Sequence, residues 1–364
     1  MPTTPTKVLH VCKSYLPIKG GIQQVVRLLT QQLHTFKHSV LTTGEDGAVY
    51  KQDIDSTVIT RCRSYAQVAS MPLAPSLVLK LIRSAKQYDL IAVHYPFPLA
   101  DLGLSLSIAR TPIIVHWHSK IVAQRRLRWV VAPFTLILFL RSASIIVTDA
   151  IMIEQSAILR LFRRKVKVIP YGMDSVVKTN KPKPSTPYLV LVGRHVAYKG
   201  IDIAIKALQN CNANLKVIGD GPLFERHLQL IHDLNLESRI ELVQHASDEQ
   251  VVDYISASLG LVVASTSENE AFALVQLEAM RLAKPIINTQ LNSTVPRVAR
   301  HQKEAITVLP RSATDLAAAM QHLIDQPELA IKLGMAGKER FDAKFSAAEF
   351  GKKIAAEYQN HVRT

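Results

Sequence analysis

The sequence predicts an α/β protein of two doubly wound domains, and three observations carry that expectation. Short runs of Val, Ile and Leu alternate with amphipathic segments along nearly the whole chain, as strands do when helices cover both faces of a parallel sheet. The alternation stops at Lys178 to Pro187, a Pro-rich polar stretch with linker composition, and then restarts. The chain's 364 residues suffice for two domains of ordinary size. The expected division is 1–175, a linker at 176–187, 188–345, and a final helix at 346–364.

Composition narrows the class. Hydrophobic residues make up 48% and charged residues 20%, which excludes a disordered chain. Cys12, Cys62 and Cys211 are far apart in sequence, so neither a disulfide framework nor a thiolate metal site is expected, and a reducing compartment fits. The N-terminus runs straight into a strand and does not read as a signal peptide. The net charge of +15 is uneven. Residues 1–175 hold 22 Lys+Arg against 9 Asp+Glu, or +13; the remainder holds 22 against 20, or +2. A basic first half suits an anionic partner such as a membrane surface, a phosphate-bearing lipid or nucleic acid.

In the first half, strands are expected at Lys7 to Cys12, His38 to Thr42, Leu90 to His94, Ile113 to Val115, Ser144 to Thr148 and Val166 to Ile169. Residues 44–70 show no clear order. Gly20 and Gly21 open a helix directly after the first strand, a turn that lets backbone amides approach a phosphate. Gly-x-Gly-x-x-Gly is absent, so this is no dinucleotide fingerprint. Helices are expected at Leu77 to Ala85 and Glu154 to Phe162. Two strand ends carry His94-Tyr-Pro-Phe-Pro and His116-Trp-His-Ser, at the sheet edge where ligands bind in open α/β folds.

Residues 129–140 are nearly all apolar, too few to span a bilayer and interrupted by Pro133. Two readings stand: a buried helix, or an interfacial anchor. In the second, Trp129 and Phe134 sit in the lipid boundary and Arg125, Arg126 and Arg128 lie among the headgroups. Arg160, Arg163, Arg164, Lys165 and Lys167 form a second basic cluster.

The second half repeats the pattern, with strands from Tyr188, Leu215, Ile240, Leu261, Ile286 and Thr307. The loop Gly193 to Gly200 offers Arg194 and Lys199, two cations that suit one diphosphate. The next strand ends in Gly219-Asp-Gly221-Pro. Between Leu261 and Gln290 the chain reads strand, polar loop, apolar helix, strand, with Ser265 to Ser267 as N-cap candidates and Lys284-Pro285 as the stop. Glu270 lies at the loop-to-helix junction and Glu278 follows a little over two turns later, so on one helix both face one side. Such a pair can hold the two ends of a sugar nucleotide by its hydroxyls.

These motifs together resemble the retaining glycosyltransferases of family 4. "SENEAFALVQLEAMRLAKPIIN" resembles that family's donor-site signature, "VGRHVAYKG" its diphosphate loop, "PIIVHWHS" its strand-end His, and Pro170-Tyr-Gly-Met-Asp174 its domain-closing segment, with Tyr171 in the usual Asn position. The resemblance covers nearly the whole chain. It implies the GT-B fold, two Rossmann-like domains facing across a cleft, with the last helix crossing back to the first domain. It assigns Glu270 to the donor sugar, Glu278 to the ribose, Arg194 and Lys199 to the leaving diphosphate, and His118 to the sugar and reaction centre. Gly20, Gly21, Gly219, Gly221, Phe272, Ala273 and Leu274 complete the implied donor site. The family usually has Gly where this chain has Ala273.

The expected reaction is therefore retaining hexosyl transfer from a nucleotide sugar, with neither a metal nor another cofactor required. GDP-mannose is the first expectation for the donor and a UDP-sugar the alternative. The expected acceptor is a saccharide on a polyprenyl diphosphate, as in bacterial O-antigen, capsule or exopolysaccharide synthesis. The setting would be cytoplasmic, peripheral on the inner face of an anionic membrane. A sugar-nucleotide epimerase of the same fold, or a non-catalytic basic binding protein, are the rival readings. No aromatic–basic nucleic-acid module is visible, and nucleic acid is not an expected partner.

Overall fold

The structure, a computed structural model, describes residues 5–18, 20–44, 50–54, 57–68, 71–119, 127–175 and 186–362. The chain divides into two units, Met1–Gly172 with Ala347–Thr364, and Met173–Ser346. Residues 176–185 of the expected linker, and Lys120, Arg125 and Arg126, lie outside the described residues.

The first unit holds β1 (Thr6–Val11), β2 (Phe36–Gly44), β3 (Tyr50–Ile54) and β4 (Thr57–Arg63), then a small hairpin of β5 (Gln67–Val68) and β6 (Met71–Pro72). It continues with β7 (Leu90–Tyr95), β8 (Ile113–Trp117), β9 (Ser142–Val147) and β10 (Val166–Val168). Its sheet runs β10-β9-β8-β7-β1-β2-β4-β3, parallel except for β3. The order reverses direction beside β1, so the loops after β1 and β7 emerge next to each other at the topological switch point. Gly20 and Gly21 lie on the first of these loops, and the helix Gly21–Gln32 starts there. Gly20 itself is extended, with φ 173°.

The helix Ala347–Gln359 belongs to this first unit. It lays the fully buried Tyr358 against Phe36, His10 and His116. Gly351 lets it approach the helix Gly21–Gln32, where an added Cβ would lie 3.0 Å from Gln32 Cβ.

Several expectations for this unit need correction. Residues 44–70, which showed no order in sequence, carry the antiparallel edge strand β3, then β4 and the first strand of the hairpin, β5. The single helix expected at 154–162 is two short ones, Ile151–Glu154 and Ala157–Leu161, because the chain leaves the helical region at Ser156. The apolar stretch forms the helix Leu127–Arg141, which is buried on one side and exposed on the other. Thr135, Leu138 and Phe139 are buried, while Val130, Leu136, Ile137 and Leu140 face outward. The helix is thus only half buried, and its outward face is apolar. Among the described residues no helix is long and apolar enough to cross a membrane.

The second unit holds β11 (Leu189–Val192), β12 (Leu215–Ile218), β13 (Ile240–Val243), β14 (Leu261–Val262), β15 (Ile286–Thr289) and β16 (Ala305–Val308). All are parallel in the order β13-β12-β11-β14-β15-β16. The reversal falls between β11 and β14, which brings the loop after each to one crevice. Buried Leu189, Leu191, Leu215, Val217 and Ile287 pack against Ile201, Ile205, Leu316 and Met320 from the helices Ile201–Ala207 and Ala313–Asp325. The helix Asp248–Ala257 starts on a capping box in which Ser247 and Gln250 exchange side-chain and backbone bonds.

Candidate active site

The crevice of the second unit is formed by two loops held in close contact. Thr266 N–H donates to the Tyr198 carbonyl at 2.8 Å. Gly200, at φ 65°, sits so near the other loop that an added Cβ would lie 2.1 Å from the Ala264 carbonyl oxygen. Only glycine combines that left-handed backbone with that approach. The contact carries Lys199 to Glu270, with Nζ 2.5 Å from Oε2. Ser265 Oγ donates to the same oxygen at 3.0 Å. Their side chains are 17% and 9% exposed, so the pair is largely shielded from water yet reachable. Arg194, on the same loop as Lys199, is exposed.

Gly219 and Gly221 support this loop from behind. Both have positive φ, 140° and 153°, and an added Cβ would meet the Gly193 carbonyl oxygen at 2.3 Å and the His195 carbonyl oxygen at 2.7 Å. Their small size admits the backbone of the loop Gly193 to Gly200. His195 N–H donates to the Asp220 carbonyl at 2.8 Å, and its ring meets the His227 ring, Nδ1 to Nδ1, at 2.9 Å. Burial pushes the His195 imidazole down to about 4. One of the two facing nitrogens must carry the proton and the other accept it, so the contact is directional.

The two carboxylates are not on one helix. Glu270 lies in a turn, its N–H bonded to the Ser267 carbonyl at 3.1 Å, and the helix begins only at Val275. The separator is Ala273, at φ 58°, a backbone state that costs a non-glycine residue about 1–2 kcal/mol. The conformation accounts for glycine being usual there. Ser265 and Thr266 cap no helix; they serve Glu270 and the neighbouring loop. Phe272 is buried edge-on against Phe345 at 6.4 Å, and Leu274 immediately precedes the helix.

Glu278 lies on that helix and pairs with Arg281, which also donates to the Asp174 carbonyl at 2.9 Å. Burial raises the Glu278 carboxyl above its ordinary range, and Arg281 only partly offsets this. The helix ends in a left-handed residue, Ala283 at φ 53°, with Lys284 N–H returning to the Ala279 carbonyl at 2.9 Å. Beneath it Gln276 and Asn288 are fully buried and bonded to each other at 3.0 Å. Asn288 also donates to the Ala299 carbonyl at 2.8 Å, which ties β15 to the loop beside the helix. Sequence reading missed Gln276, Asn288 and Arg281, since isolated amides and a helical Arg carry no motif.

His118 stands in the first unit, just past the end of β8, its N–H extending the ladder to the Tyr95 carbonyl at 3.0 Å. It is 5% exposed and both ring nitrogens are engaged, Nε2 by His94 at 2.9 Å and Nδ1 by the Tyr171 hydroxyl. Burial pushes its imidazole down to about 3. Tyr171, at the position where Asn was expected, is therefore the immediate neighbour of the strand-end His.

The basic groups near the apolar helix divide by role. Arg141 donates to the Ser107 carbonyl at 2.7 Å and the Ala109 carbonyl at 2.5 Å. Lys165 Nζ caps the helix end through the Phe139, Leu140 and Ser142 carbonyls at 2.7–3.0 Å. These two are committed internally, so Lys165 does not share the solvent-facing character of the rest of its basic cluster. Arg160, Arg163, Arg164 and Lys167 are exposed, Phe134 is half-buried, and Arg128 and Trp129 are placed only by their backbone.

Residues 19–176 match the family description Glycosyltransferase Family 4, and residues 174–340 match Glycosyl transferases group 1. The chain is 28% identical over 357 residues to the D-rhamnosyltransferase WbpZ of Pseudomonas aeruginosa, covering 94% of this chain and 92% of the relative. It is 25% identical to the O-antigen chain mannosyltransferase C of Escherichia coli, covering 94% and 95%. The crystal structure of Anabaena HepE in complex with UDP superposes with a TM-score of 0.80 at 20% identity, covering 98% of this chain and 100% of that one, a likeness of fold. With both units built as parallel Rossmann-like sheets, and the two family matches running consecutively along it, this chain is a GT-B glycosyltransferase belonging to family 4.

Proposed function

We propose that the protein transfers a hexosyl residue from a nucleotide sugar to a lipid-linked saccharide, with retention of anomeric configuration, in bacterial cell-surface polysaccharide synthesis. The observation that carries this reading is the Lys199–Glu270 pair, held by Ser265 at the switch-point crevice of the second unit. A carboxylate there accepts hydrogen bonds from the donor sugar's hydroxyls. Lys199, with Arg194 beside it, faces the diphosphate. As the bond from C1 to the phosphate oxygen breaks, charge grows on that oxygen, and two fixed cations stabilise it without a divalent metal. The acceptor oxygen bonds to C1, and its proton leaves with the phosphate oxygen. Glu278 binds the ribose hydroxyls, in exchange for part of its contact with Arg281.

The donor is proposed to be GDP-mannose. The two relatives are named as a D-rhamnosyl- and a mannosyltransferase, and D-rhamnose is 6-deoxymannose, so both names describe manno-configured sugars. The UDP of the HepE complex keeps a UDP-sugar as the alternative. The acceptor is proposed to be a saccharide on a polyprenyl diphosphate, because the first unit carries the excess positive charge. The protein is proposed to rest on the anionic inner face of the membrane through the outward stripe Val130, Leu136, Ile137 and Leu140. Exposed Arg160, Arg163 and Arg164 would lie at the headgroups.

Product analysis tests the reading. The protein is incubated with GDP-mannose or UDP-glucose and lipid-linked saccharide acceptors, and the new linkage is read by NMR. An α-linked product from an α-linked donor is expected. A β-linked product contradicts retention, and an epimerised donor formed without acceptor contradicts transfer altogether.

A further inference from the structure

The first unit carries five buried histidines on one face of its sheet, and four of them form a single hydrogen-bonded chain. His38 Nε2 meets the Leu33 carbonyl at 3.0 Å, and His38 Nδ1 meets His10 Nε2 at 3.1 Å. His10 Nδ1 meets His94 Nε2 at 3.2 Å, and His94 Nδ1 meets His118 Nε2 at 2.9 Å. The last nitrogen, His118 Nδ1, meets the Tyr171 hydroxyl. Strand register explains the alignment. His10 pairs with Val40, two residues beyond His38, and with Ala92, two residues before His94. His94 pairs with His116, two residues before His118. A step of two keeps every ring on one face, so the chain climbs diagonally from β2 to the edge beyond β8.

The protons in this chain can be placed one after another. A carbonyl only accepts, so His38 must donate from Nε2, and a neutral His38 then accepts at Nδ1. That makes His10 an Nε2 donor, then His94, then His118. His118 Nδ1 is left as an acceptor, and the Tyr171 hydroxyl is its donor. All four rings are at most 5% exposed, and burial lowers the pKa of each, which keeps them neutral. The rings stand in file and do not converge on a point. The fifth histidine, His116, lies outside the file and bonds Tyr358 of the last helix at 2.8 Å.

We propose that His10, His38 and His94 are positioning residues for His118, a one-way imidazole chain that starts on the Leu33 carbonyl and fixes His118 Nδ1 as a permanent hydrogen-bond acceptor. A substrate hydroxyl takes the place of the Tyr171 hydroxyl when substrate binds, and the chain holds the ring at the angle that receives it. This last step rests on the reading of His118 as a donor-site residue.

The test has two arms. In the first, long-range 1H–15N correlation on the full chain labelled with 15N-histidine reads each tautomer in the wild-type protein, with assignment by single His variants. Four neutral Nε2–H rings are expected at His10, His38, His94 and His118; an Nδ1–H tautomer at His118 overturns the proposal. In the second, transfer is measured for His118→Ala, His10→Phe and His10→Gln. His10→Phe interrupts the chain on β1, two strands from His118 at the end of β8, and kcat should fall about tenfold with donor KM within about twofold. His10→Gln, which can still donate and accept, should recover most of that loss. A folded His10→Phe with wild-type kcat, beside an impaired His118→Ala, overturns the positioning role alone. Wild-type transfer by His118→Ala overturns the donor-site reading of His118 and the positioning role with it, whatever the tautomers show.

Discussion

The two units present opposite kinds of polar chemistry. In the second, Lys199 and Glu270 form an ion pair partly open to water at a loop crossing. In the first, a file of imidazoles is neutral and buried on one face of the sheet, with Tyr358 of the C-terminal helix against His10. The difference follows from what each can tolerate. On the proposed function the cation meets a diphosphate, and such a charge has to stay near water, because full burial without its ligand would cost several kcal/mol. A ring whose tautomer must be fixed needs water excluded, because a water molecule can donate or accept at either nitrogen. Unit two uses glycines to bring loops together, and unit one uses strand register to line up rings.

The largest expected effect breaks the ionic half. Lys199→Ala and Glu270→Ala should each lower kcat by about a hundredfold or more, roughly 3 kcal/mol of transition-state stabilisation. Steady-state kinetics on folded variants measures this, and near-normal turnover by both would remove the site. Close behind, Gly200→Ala should destabilise the second unit by about 2–3 kcal/mol, since the methyl meets the Ala264 carbonyl from a left-handed backbone. Urea unfolding followed by a probe in that unit would detect it.

Acid stability sharpens the comparison further. In the first unit His10, His38, His94, His116 and His118 all have lowered pKa values, with the last two at about 3. Each binds a proton more readily when unfolded, so its contribution is complete above pH 6.5, the unfolded value, and is lost as pH falls toward 3. Asp101 acts in the opposite sense: burial raises it to about 7, so its cost to stability is relieved as pH falls below 7. One carboxyl opposes five histidines there, whereas the second unit has His195 and His227 lowered. Hydrogen exchange between pH 7 and pH 4 should show the first unit losing protection earlier; equal loss in both would contradict the histidine account.

Smaller effects follow. Glu278→Gln should raise donor KM about tenfold with kcat little changed, the pattern of a binding contact made equally in ground and transition states. Ala273→Gly relieves the left-handed strain but frees the unfolded chain, and the two terms should leave stability within about 1 kcal/mol of the original, as a thermal melt would report.

Much of this was legible in the sequence, for identifiable reasons. Parallel strands buried on both faces are continuous apolar runs, so the expected strands at Leu215 to Ile218 and Ile240 to Val243 match β12 and β13 residue for residue. Lys199 and Glu270 were found separately, but their contact depends on the strand order that places β11 beside β14, which no local pattern encodes. The helix expected to carry Glu270 and Glu278 together failed at Ala273, because alanine gives no sign of a positive φ. The histidine file was the least visible. His10, His38, His94 and His118 are isolated in sequence and become neighbours only through the register of four strands.

The most direct test of the central claim is a thermal-shift comparison of GDP, UDP and their hexose conjugates on the wild-type protein and on Lys199→Ala. At about a hundred times its dissociation constant a ligand adds roughly 2.7 kcal/mol. The account predicts a clear rise in Tm with one nucleotide series, GDP foremost, and its loss in Lys199→Ala. Wild-type protein that responds to neither series, or a Lys199→Ala variant that responds as the wild type does, would contradict a nucleotide-sugar site at this crevice.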